Sequence, residues 1–211
     1  KDPENSTVAY KDIIDGGSGA DTIYGGGGND EIKGGDGNDR IQGNAGDDKI
    51  EGGGQTDILQ GNAGKDELYG ESGNDDLEGN EDDDLLVGGE GADDLAGGDD
   101  NDKLYGGAET EDDQTDTSND QLFGGDGTDE LYGGAGSDVL RGGSGADTLR
   151  GGAGLDYLMG GEGHDSYIYN GAKDGRYDIL DDSPEDGGSG AADGHIEYSG
   201  NTLSGGKKDK D

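Results

Sequence analysis

The chain has 211 residues, of which 53 are acidic and 14 are basic, and its formal net charge is −39. Only 25% of the residues are hydrophobic, 51 are glycine, and there is no cysteine or tryptophan. Such a chain has too little apolar surface to offset the entropy lost on folding, so we expect disorder unless cations neutralise its charge. The same charge argues against nucleic acid and anionic membranes as partners, and no window is apolar enough to span a membrane.

The N-terminal segment, residues 1–15, is predicted to be a lead-in to a repeat array. It ends in TVAYKDIID, an incomplete repeat in which Asp12 and Ile14 occupy the two diagnostic places described below. No apolar leader follows Lys1. We therefore expect the chain to be a piece of a longer protein.

From Gly16 the sequence repeats with a period of nine. Ten consecutive nines run from GGSGADTIY at 16–24 to GGDDNDKLY at 97–105, and five more run from GGDGTDELY at 124–132 to GGEGHDSYI at 160–168. The sixth place is aspartate in all fifteen units, and the eighth is isoleucine or leucine in all but the last. A merely flexible linker does not keep an aliphatic residue in phase in this way, so the period predicts a repeat architecture.

Residues 106–123 interrupt the array without changing its phase, because the interruption is as long as two nonapeptides. Asp120 and Leu122 keep the pattern, but Glu111 replaces the sixth-place aspartate and Asp113 replaces the aliphatic residue. We expect residues 107–119 to form an irregular acidic loop; the alternative is one decayed coil. Across the whole array, the fourth-place glycine is replaced at Gln55, Asp82, Asp100, Glu109 and Ser118, where we expect strain or weaker coordination.

Each place in the nonapeptide has a physical role. Glycines at the first, second and fourth places permit positive φ and let backbone carbonyls turn toward a common point, to which the sixth-place aspartate adds a charged oxygen. The last three places form a short strand with one inward apolar side chain. Two nonapeptides then make one coil of a flattened solenoid, with one strand on each face. The predicted fold is therefore all-β, a parallel β-roll in which each aspartate lies above the aspartate two repeats earlier.

Carboxylates stacked about 4.8 Å apart, the strand spacing, repel each other unless cations lie between them. Hard oxygen ligands on flexible glycine loops suit calcium better than magnesium. Aspartate pairs separated by two repeats number eight from Asp12 to Asp156 and six on the other edge, so we expect up to about fourteen calcium ions. The candidate metal-ligating side chains are Asp12, Asp21, Asp30, Asp39, Asp48, Asp57, Asp66, Asp75, Asp84, Asp93, Asp102, Asp120, Asp129, Asp138, Asp147, Asp156 and Asp165.

The motif GGxGxDxUx, repeated over residues 12–168, resembles the calcium-binding nonapeptide of the RTX (repeats-in-toxin) family. The resemblance implies a right-handed parallel β-roll with two nonapeptides per coil. It also implies that each ion lies between loops two repeats apart. The ligands would be carbonyls from the second and fourth places of one loop, carbonyls from the first and third places of the other, and both aspartates.

Carried over residue by residue, this ligand set gives specific sites. One would use Gly17, Gly19 and Asp21 with Gly34, Asp36 (through its carbonyl) and Asp39, and its neighbour would use Gly26, Gly28 and Asp30 with Gly43, Ala45 and Asp48. The further backbone ligands implied are Gly35, Gly37, Gly46, Gly125, Gly127, Gly134, Gly136, Gly142, Gly143, Gly145, Gly151, Gly152, Gly154, Gly160, Gly161 and Gly163. Acidic residues at other places, such as Glu31, Glu67 and Asp94, are expected to face solvent.

The C-terminal segment, residues 169–211, is predicted to be a small β cap. Strand-like alternations in YIYNGAKDGRYDILDD and HIEYSGNTLSGG would cover the open edge of the last coil. The segment is similar to the region that follows the repeats in RTX proteins. The ending GGKKDKD is too short and too basic for the export signal that the resemblance implies, so we expect the segment to be truncated.

No pattern in the chain predicts catalysis. His164 and His195 are isolated and accompany no cysteine or HExxH, no serine completes G-x-S-x-G, and no EF-hand loop is present. We therefore expect this chain not to be an enzyme, whatever the parent protein does.

The resemblance implies a secreted bacterial protein that leaves the cell through a type I secretion apparatus. We expect the repeats to be unfolded without calcium and to fold outside the cell, assisting secretion and folding of an RTX toxin. The alternative parents are a secreted protease or lipase and an RTX adhesin. We expect the chain to be a monomer that binds calcium and does not contact the membrane.

Overall fold

The computed structural model describes residues 10–110, 115–169, 179–181 and 195–198. All regular structure in this part of the chain is β-strand, so it contains no helix that could cross a membrane. The strands are β1 (Ile13–Ser18), β2 (Thr22–Gly27), β3 (Glu31–Asp36), β4 (Arg40–Ala45), β5 (Lys49–Gly54), β6 (Ile58–Ala63), β7 (Glu67–Ser72), β8 (Asp76–Glu81), β9 (Leu85–Glu90), β10 (Asp94–Asp99), β11 (Lys103–Tyr105), β12 (Gln121–Gly127), β13 (Glu130–Gly136), β14 (Val139–Gly145), β15 (Thr148–Gly154), β16 (Tyr157–Glu162), β17 (Ser166–Tyr169), β18 (Ile179–Asp181) and β19 (His195–Tyr198).

The strands alternate between two parallel sheets. The odd-numbered strands form one sheet in the order β1 to β19, and the even-numbered strands form the other in the order β2 to β18. Each coil therefore places one strand in each sheet before the chain moves up by one strand spacing. The predicted parallel β-roll is confirmed.

The register stacks equivalent places of the nonapeptide directly on one another. Ile14 pairs with Ile32, and Ile32 pairs with Ile50, each partner lying two repeats further along the chain. The eighth-place side chains therefore form continuous columns between the sheets, from Ile23 to Leu158, and Tyr167 ends the core. Most of these side chains are fully buried, which confirms the predicted inward position.

Truncating one eighth-place side chain is expected to leave a cavity in this thin core. Leu68 is fully buried, so Leu68→Ala should cost about 2–5 kcal/mol of unfolding free energy in calcium-saturated urea titrations. Leu155→Ala is the matched control, because Leu155 is 54% exposed and its truncation should cost well under about 1 kcal/mol. Equal effects of the two substitutions would contradict the assignment of the core.

The interruption shifts the register by one repeat. Lys103 pairs with Glu130, and Asp94 pairs with Gln121, so partners here are three repeat lengths apart instead of two. Tyr105 and Tyr132, also partners in this register, stack with their ring centroids 4.9 Å apart. Of the segment between β11 and β12, residues 106–110 and 115–120 contain no strand, and residues 111–114 lie outside the described part. One nonapeptide length therefore stands outside the ladder.

This register overturns one expectation. Phase alone stacked Asp120 on Asp102, whereas the structure stacks Asp120 on Asp93 and Asp129 on Asp102. The physical reason is that one extra nonapeptide length lies outside the coil as a loop. The aspartates after the interruption therefore continue the opposite edge from the one predicted: Asp120 follows Asp93, and Asp129 follows Asp102.

The two ends of the array are described only in part. The lead-in before Tyr10 lies outside the described residues, as do residues 170–178, 182–194 and 199–211 of the predicted cap. Within the cap, β18 pairs with β16 and β19 pairs with β17, both parallel. The backbone of these two strands thus extends both sheets beyond the last nonapeptide.

Candidate metal centre

The sixth-place aspartates form a ladder along each edge of the β-roll. The backbone N–H of each aspartate donates to Oδ1 of the aspartate one coil further on, as from Asp30 to Asp48 at 2.7 Å. Fifteen such hydrogen bonds, 2.7–3.0 Å long, connect the described aspartates. One edge runs through Asp12, Asp30, Asp48, Asp66, Asp84, Asp102, Asp129, Asp147 and Asp165, and the other through Asp21, Asp39, Asp57, Asp75, Asp93, Asp120, Asp138 and Asp156.

The second carboxylate oxygen, Oδ2, does not take part in these aspartate-to-aspartate hydrogen bonds. Apart from Asp12 and Asp21 in the first coil, which are half-buried, the sixth-place aspartates are at most 4% exposed. Their Oδ2 atom is buried without a hydrogen-bond partner at Asp39, Asp48, Asp57, Asp66, Asp75, Asp84, Asp93, Asp102, Asp129, Asp138 and Asp147. A buried anionic oxygen without a partner is costly, so each of these atoms is suited to bind a cation.

The Oδ2 atoms face a small space that only glycine leaves open. A Cβ added to Gly70, at the first place, would lie 2.5 Å from Oδ2 of Asp75 and 2.6 Å from the carbonyl oxygen of Gly88 in the next coil. Both oxygens therefore approach one point beside Gly70. The first-place glycines of the other repeats meet the aspartate of their own unit in the same way.

Filling this space is expected to disrupt the edge. Gly70→Ala would drive a methyl group into both oxygens, so we expect a marked loss of β-structure, measured by circular dichroism with calcium present. Gly54→Ala is the control, because the nearest atom to its added Cβ would be Ser72 Oγ at an ordinary 3.8 Å. Normal folding of Gly70→Ala would show that this space is not needed.

The second and fourth places hold their carbonyls by left-handed backbone conformations. Gly35 and Gly37 have φ of 106° and 145°, and a Cβ on either would overlap a carbonyl of the preceding coil. The fourth-place replacements Gln55, Asp82 and Asp100 keep φ of 78°, 74° and 76°, so these loops retain their shape under strain.

Left-handed conformations also occur at second-place residues that the sequence analysis did not single out. Asn44, Asn62, Glu71 and Asn80 have φ between 73° and 90°. Asparagine tolerates this region better than most residues because its side chain bonds locally, and the amides of Asn44 and Asn62 donate to the carbonyls of Gln42 and Gln60. Asparagine at the second place of a repeat was therefore a signal in the sequence from which a left-handed conformation could have been predicted.

Comparison with known families identifies the repeat. The family of RTX calcium-binding nonapeptide repeats matches residues 7–41, 24–59, 33–68, 51–86, 78–109, 114–140 and 132–167. The chain belongs to the RTX family. No curated protein matches it in sequence. RTX repeats form a structural calcium-binding module, so the cation to which the edges of this β-roll are suited is calcium.

Burial of the RTX aspartates changes their acidity. Removal from water raises the pKa of Asp48, Asp75 and Asp129 to about 6, although the backbone N–H that each accepts opposes the shift. The same burial raises the pKa of Asp57, Asp66, Asp102, Asp120 and Asp147 to about 7, and that of Asp84, Asp93 and Asp138 to about 8. Without a cation, these carboxyls hold protons more tightly than exposed ones do.

Side chains alone do not complete a metal site in the described residues, where no group of three or more His, Cys, Asp or Glu converges to hold an ion. The oxygens that the structure brings together at the edges are carboxylate and backbone carbonyl oxygens, as with Asp75 Oδ2 and the Gly88 carbonyl beside Gly70. This donor set is typical of calcium and unlike the nitrogen and sulfur ligands of zinc.

Proposed function

We propose that this RTX β-roll is unfolded without calcium, folds when it binds calcium in the extracellular space, and thereby assists type I secretion and folding of an RTX toxin. The observation that carries the proposal is the row of buried Oδ2 atoms without hydrogen-bond partners on both edges. In a chain with net charge −39, these carboxylates cannot all stay ionised in a compact fold unless divalent ions bind them.

The rungs of the two ladders suggest where the ions bind. The fifteen aspartate-to-aspartate hydrogen bonds define fifteen positions between successive loops, one more than pairing by phase predicted. Full occupancy would bring 30 positive charges against −39. The ligand sets remain those implied by the family pattern, such as Gly17, Gly19 and Asp21 with Gly34, Asp36 and Asp39. They are reassigned across the interruption to join the Asp93 loop to the Asp120 loop and the Asp102 loop to the Asp129 loop.

Calcium availability would couple folding to export. Where calcium is scarce, repulsion keeps the chain extended and able to thread a secretion channel. Outside the cell, sites with dissociation constants of roughly 10⁻⁴ to 10⁻³ M would fill, and binding free energy would become folding free energy. Each loop borders a site above and below, so filling one coil prepares the next, and uptake should be cooperative. A secreted protease, lipase or adhesin could carry the same module, and an activity assay of the full parent protein would distinguish these cases.

Equilibrium dialysis tests this proposal directly. At millimolar calcium we expect on the order of ten ions or more per chain, with magnesium failing to displace them. Asp48→Asn retains the Oδ1 acceptor for Asp30 but removes the charge, and should lose about two ions, those above and below its loop. Asp94→Asn is the matched control, because Asp94 is exposed and its Oδ1 accepts only a surface hydrogen bond from Gln121 in the described structure. Binding of only one or two ions would contradict the proposal.

A further inference from the structure

The interruption of the array lies inside a calcium loop. A Cβ added to Gly106 would lie 2.5 Å from Oδ2 of Asp120 and 2.6 Å from the carbonyl oxygen of Gly133, the relation that Gly70 has to Asp75 and Gly88. Gly106 is therefore the first-place glycine of the loop that ends at Asp120. In a regular unit the first place precedes the aspartate by five positions, but Gly106 precedes Asp120 by one further nonapeptide length. The extra nonapeptide length enters between them.

The end of this loop is stacked normally on the next coil. A Cβ on Gly136 would overlap the carbonyl oxygen of Ser118, as one on Gly37 would overlap that of Gly19. The N–H of Ser137 donates to Asn119 Oδ1 at 2.7 Å, and the N–H of Asp120 donates to Asp138 Oδ1 at 2.9 Å. The loop of Asp120 thus forms a regular rung with the loop of Asp138 from its fourth place onward.

Asp116, two positions before Ser118, brings an extra carboxylate to this rung. Its side chain is only 9% exposed, and its Oδ1 accepts hydrogen bonds from the Ser118 N–H and Oγ at 3.2 and 2.9 Å. Its Oδ2 is buried without a hydrogen-bond partner, like the Oδ2 atoms of the repeat aspartates. Its charge is close enough to contribute to the raised pKa of Asp120, Asp93 and Asp138.

Nothing in the nonapeptide pattern requires an acid at this place. Asp116 occupies the second place counted back from Asp120, where regular units have glycine, asparagine or, once, Glu71. The asparagine and glutamate side chains at that place are half-buried or exposed. A carboxylate buried beside other carboxylates is strongly unfavourable unless a cation is bound there.

We propose that Asp116 is an additional calcium ligand, whose side chain binds the ion between the loops of Asp120 and Asp138. The inference rests on the proposed calcium occupancy of the edges. No three acidic side chains converge in the described structure, so binding includes a rotation of Asp116 toward the ion. Since ligand charge is one of the properties that tune calcium affinity, this site should be the tightest of the array and should fill first.

The substitution Asp116→Asn tests the proposal, because asparagine keeps an oxygen acceptor for Ser118 and removes only the charge. Titration of calcium in competition with a chromophoric chelator should show the tightest binding step of the native chain weakened about tenfold, and the cooperative uptake that follows it should begin at a higher calcium concentration while reaching the same final number of ions less at most one. Glu67→Gln, which removes an exposed carboxylate whose side chain accepts a hydrogen bond only from Tyr69 in the described structure, should leave every step unchanged.

The outcomes separate this inference from the proposed function. If Asp116→Asn binds calcium like the native chain while Asp48→Asn loses ions, Asp116 is not a ligand and the calcium function stands. If neither substitution has an effect, both proposals fail. If Asp116→Asn does not fold at saturating calcium, a calcium anomalous map of the native crystal decides. A peak about 2.3–2.6 Å from the Asp116 carboxylate supports the assignment, and its absence rejects it.

Discussion

Removal of calcium is expected to unfold the whole β-roll, and this is the largest effect that we predict. Only one place in nine is reliably apolar, while both edges bury carboxylates throughout their length. An uncompensated buried carboxylate costs several kcal/mol, and only about 5–15 kcal/mol stabilises an ordinary domain. The summed free-energy cost of several such carboxylates therefore exceeds the stability that the thin core provides.

Far-UV circular dichroism during calcium titration and subsequent chelation measures this effect. We expect a disordered spectrum without calcium, a cooperative gain of β-structure as calcium is added, and full reversal by excess EGTA. Sodium chloride at matched ionic strength is the control, because screening alone reduces repulsion without filling the Oδ2 positions. A chain that is equally structured before and after chelation would contradict the coupling of folding to calcium.

Acidification of the calcium-free chain is expected to have the second-largest effect, and in the opposite direction to ordinary acid denaturation. Burial raises the pKa of the edge aspartates to between about 6 and 8, as in Asp48, Asp57 and Asp84, whereas an unfolded aspartate titrates at about 3.9. A group whose folded pKa is raised stabilises the fold fully below its unfolded pKa, and this stabilisation is lost as pH rises through the folded pKa. Without calcium, compactness should therefore be greatest near pH 4 and should be lost between pH 4 and 8.

Small-angle scattering and circular dichroism of the calcium-stripped chain, recorded from pH 8 to pH 4 at low concentration, test this prediction. Titration of surface ion pairs such as Lys65 with Asp83 does not obscure this pH dependence. Hydrogen bonding by Lys65 lowers the pKa of Asp83 to about 2, so the contribution of Asp83 is lost only as pH falls below this range. With calcium present the sign reverses, because protons compete with calcium for the same carboxylates and acid should weaken binding. A calcium-free chain that stays expanded at every pH would contradict the assigned burial of the aspartates.

The sequence predicted most of the fold because the nonapeptide assigns each place a single environment. The buried column through Ile32 and Ile50 and the aspartate ladder through Asp30 and Asp48 both follow from a period of nine with two units per coil. The role assigned to first-place glycine was wrong, because positive φ occurs at the second and fourth places, whereas a first-place residue such as Gly70 is glycine because a Cβ there would meet the aspartate Oδ2.

The register beyond the interruption could not be predicted in the same way. An interruption of two nonapeptide lengths keeps the phase of the repeat in either of two cases. It can form a complete coil, or one nonapeptide length can join the coil while the other forms a loop outside it. The difference depends on which glycine packs against Asp120, and the sequence offers several. Asp116 was missed for a related reason: its burial follows from where the loop re-enters the edge, although an acid at a second place could have signalled it.

A crystal of the chain grown with calcium, with anomalous data collected at long wavelength, tests the central claim most directly. We predict calcium peaks between successive loops on both edges, including those joining Asp30 to Asp48, Asp93 to Asp120 and Asp102 to Asp129. Edges without calcium peaks beside an intact stack of strands would contradict the account.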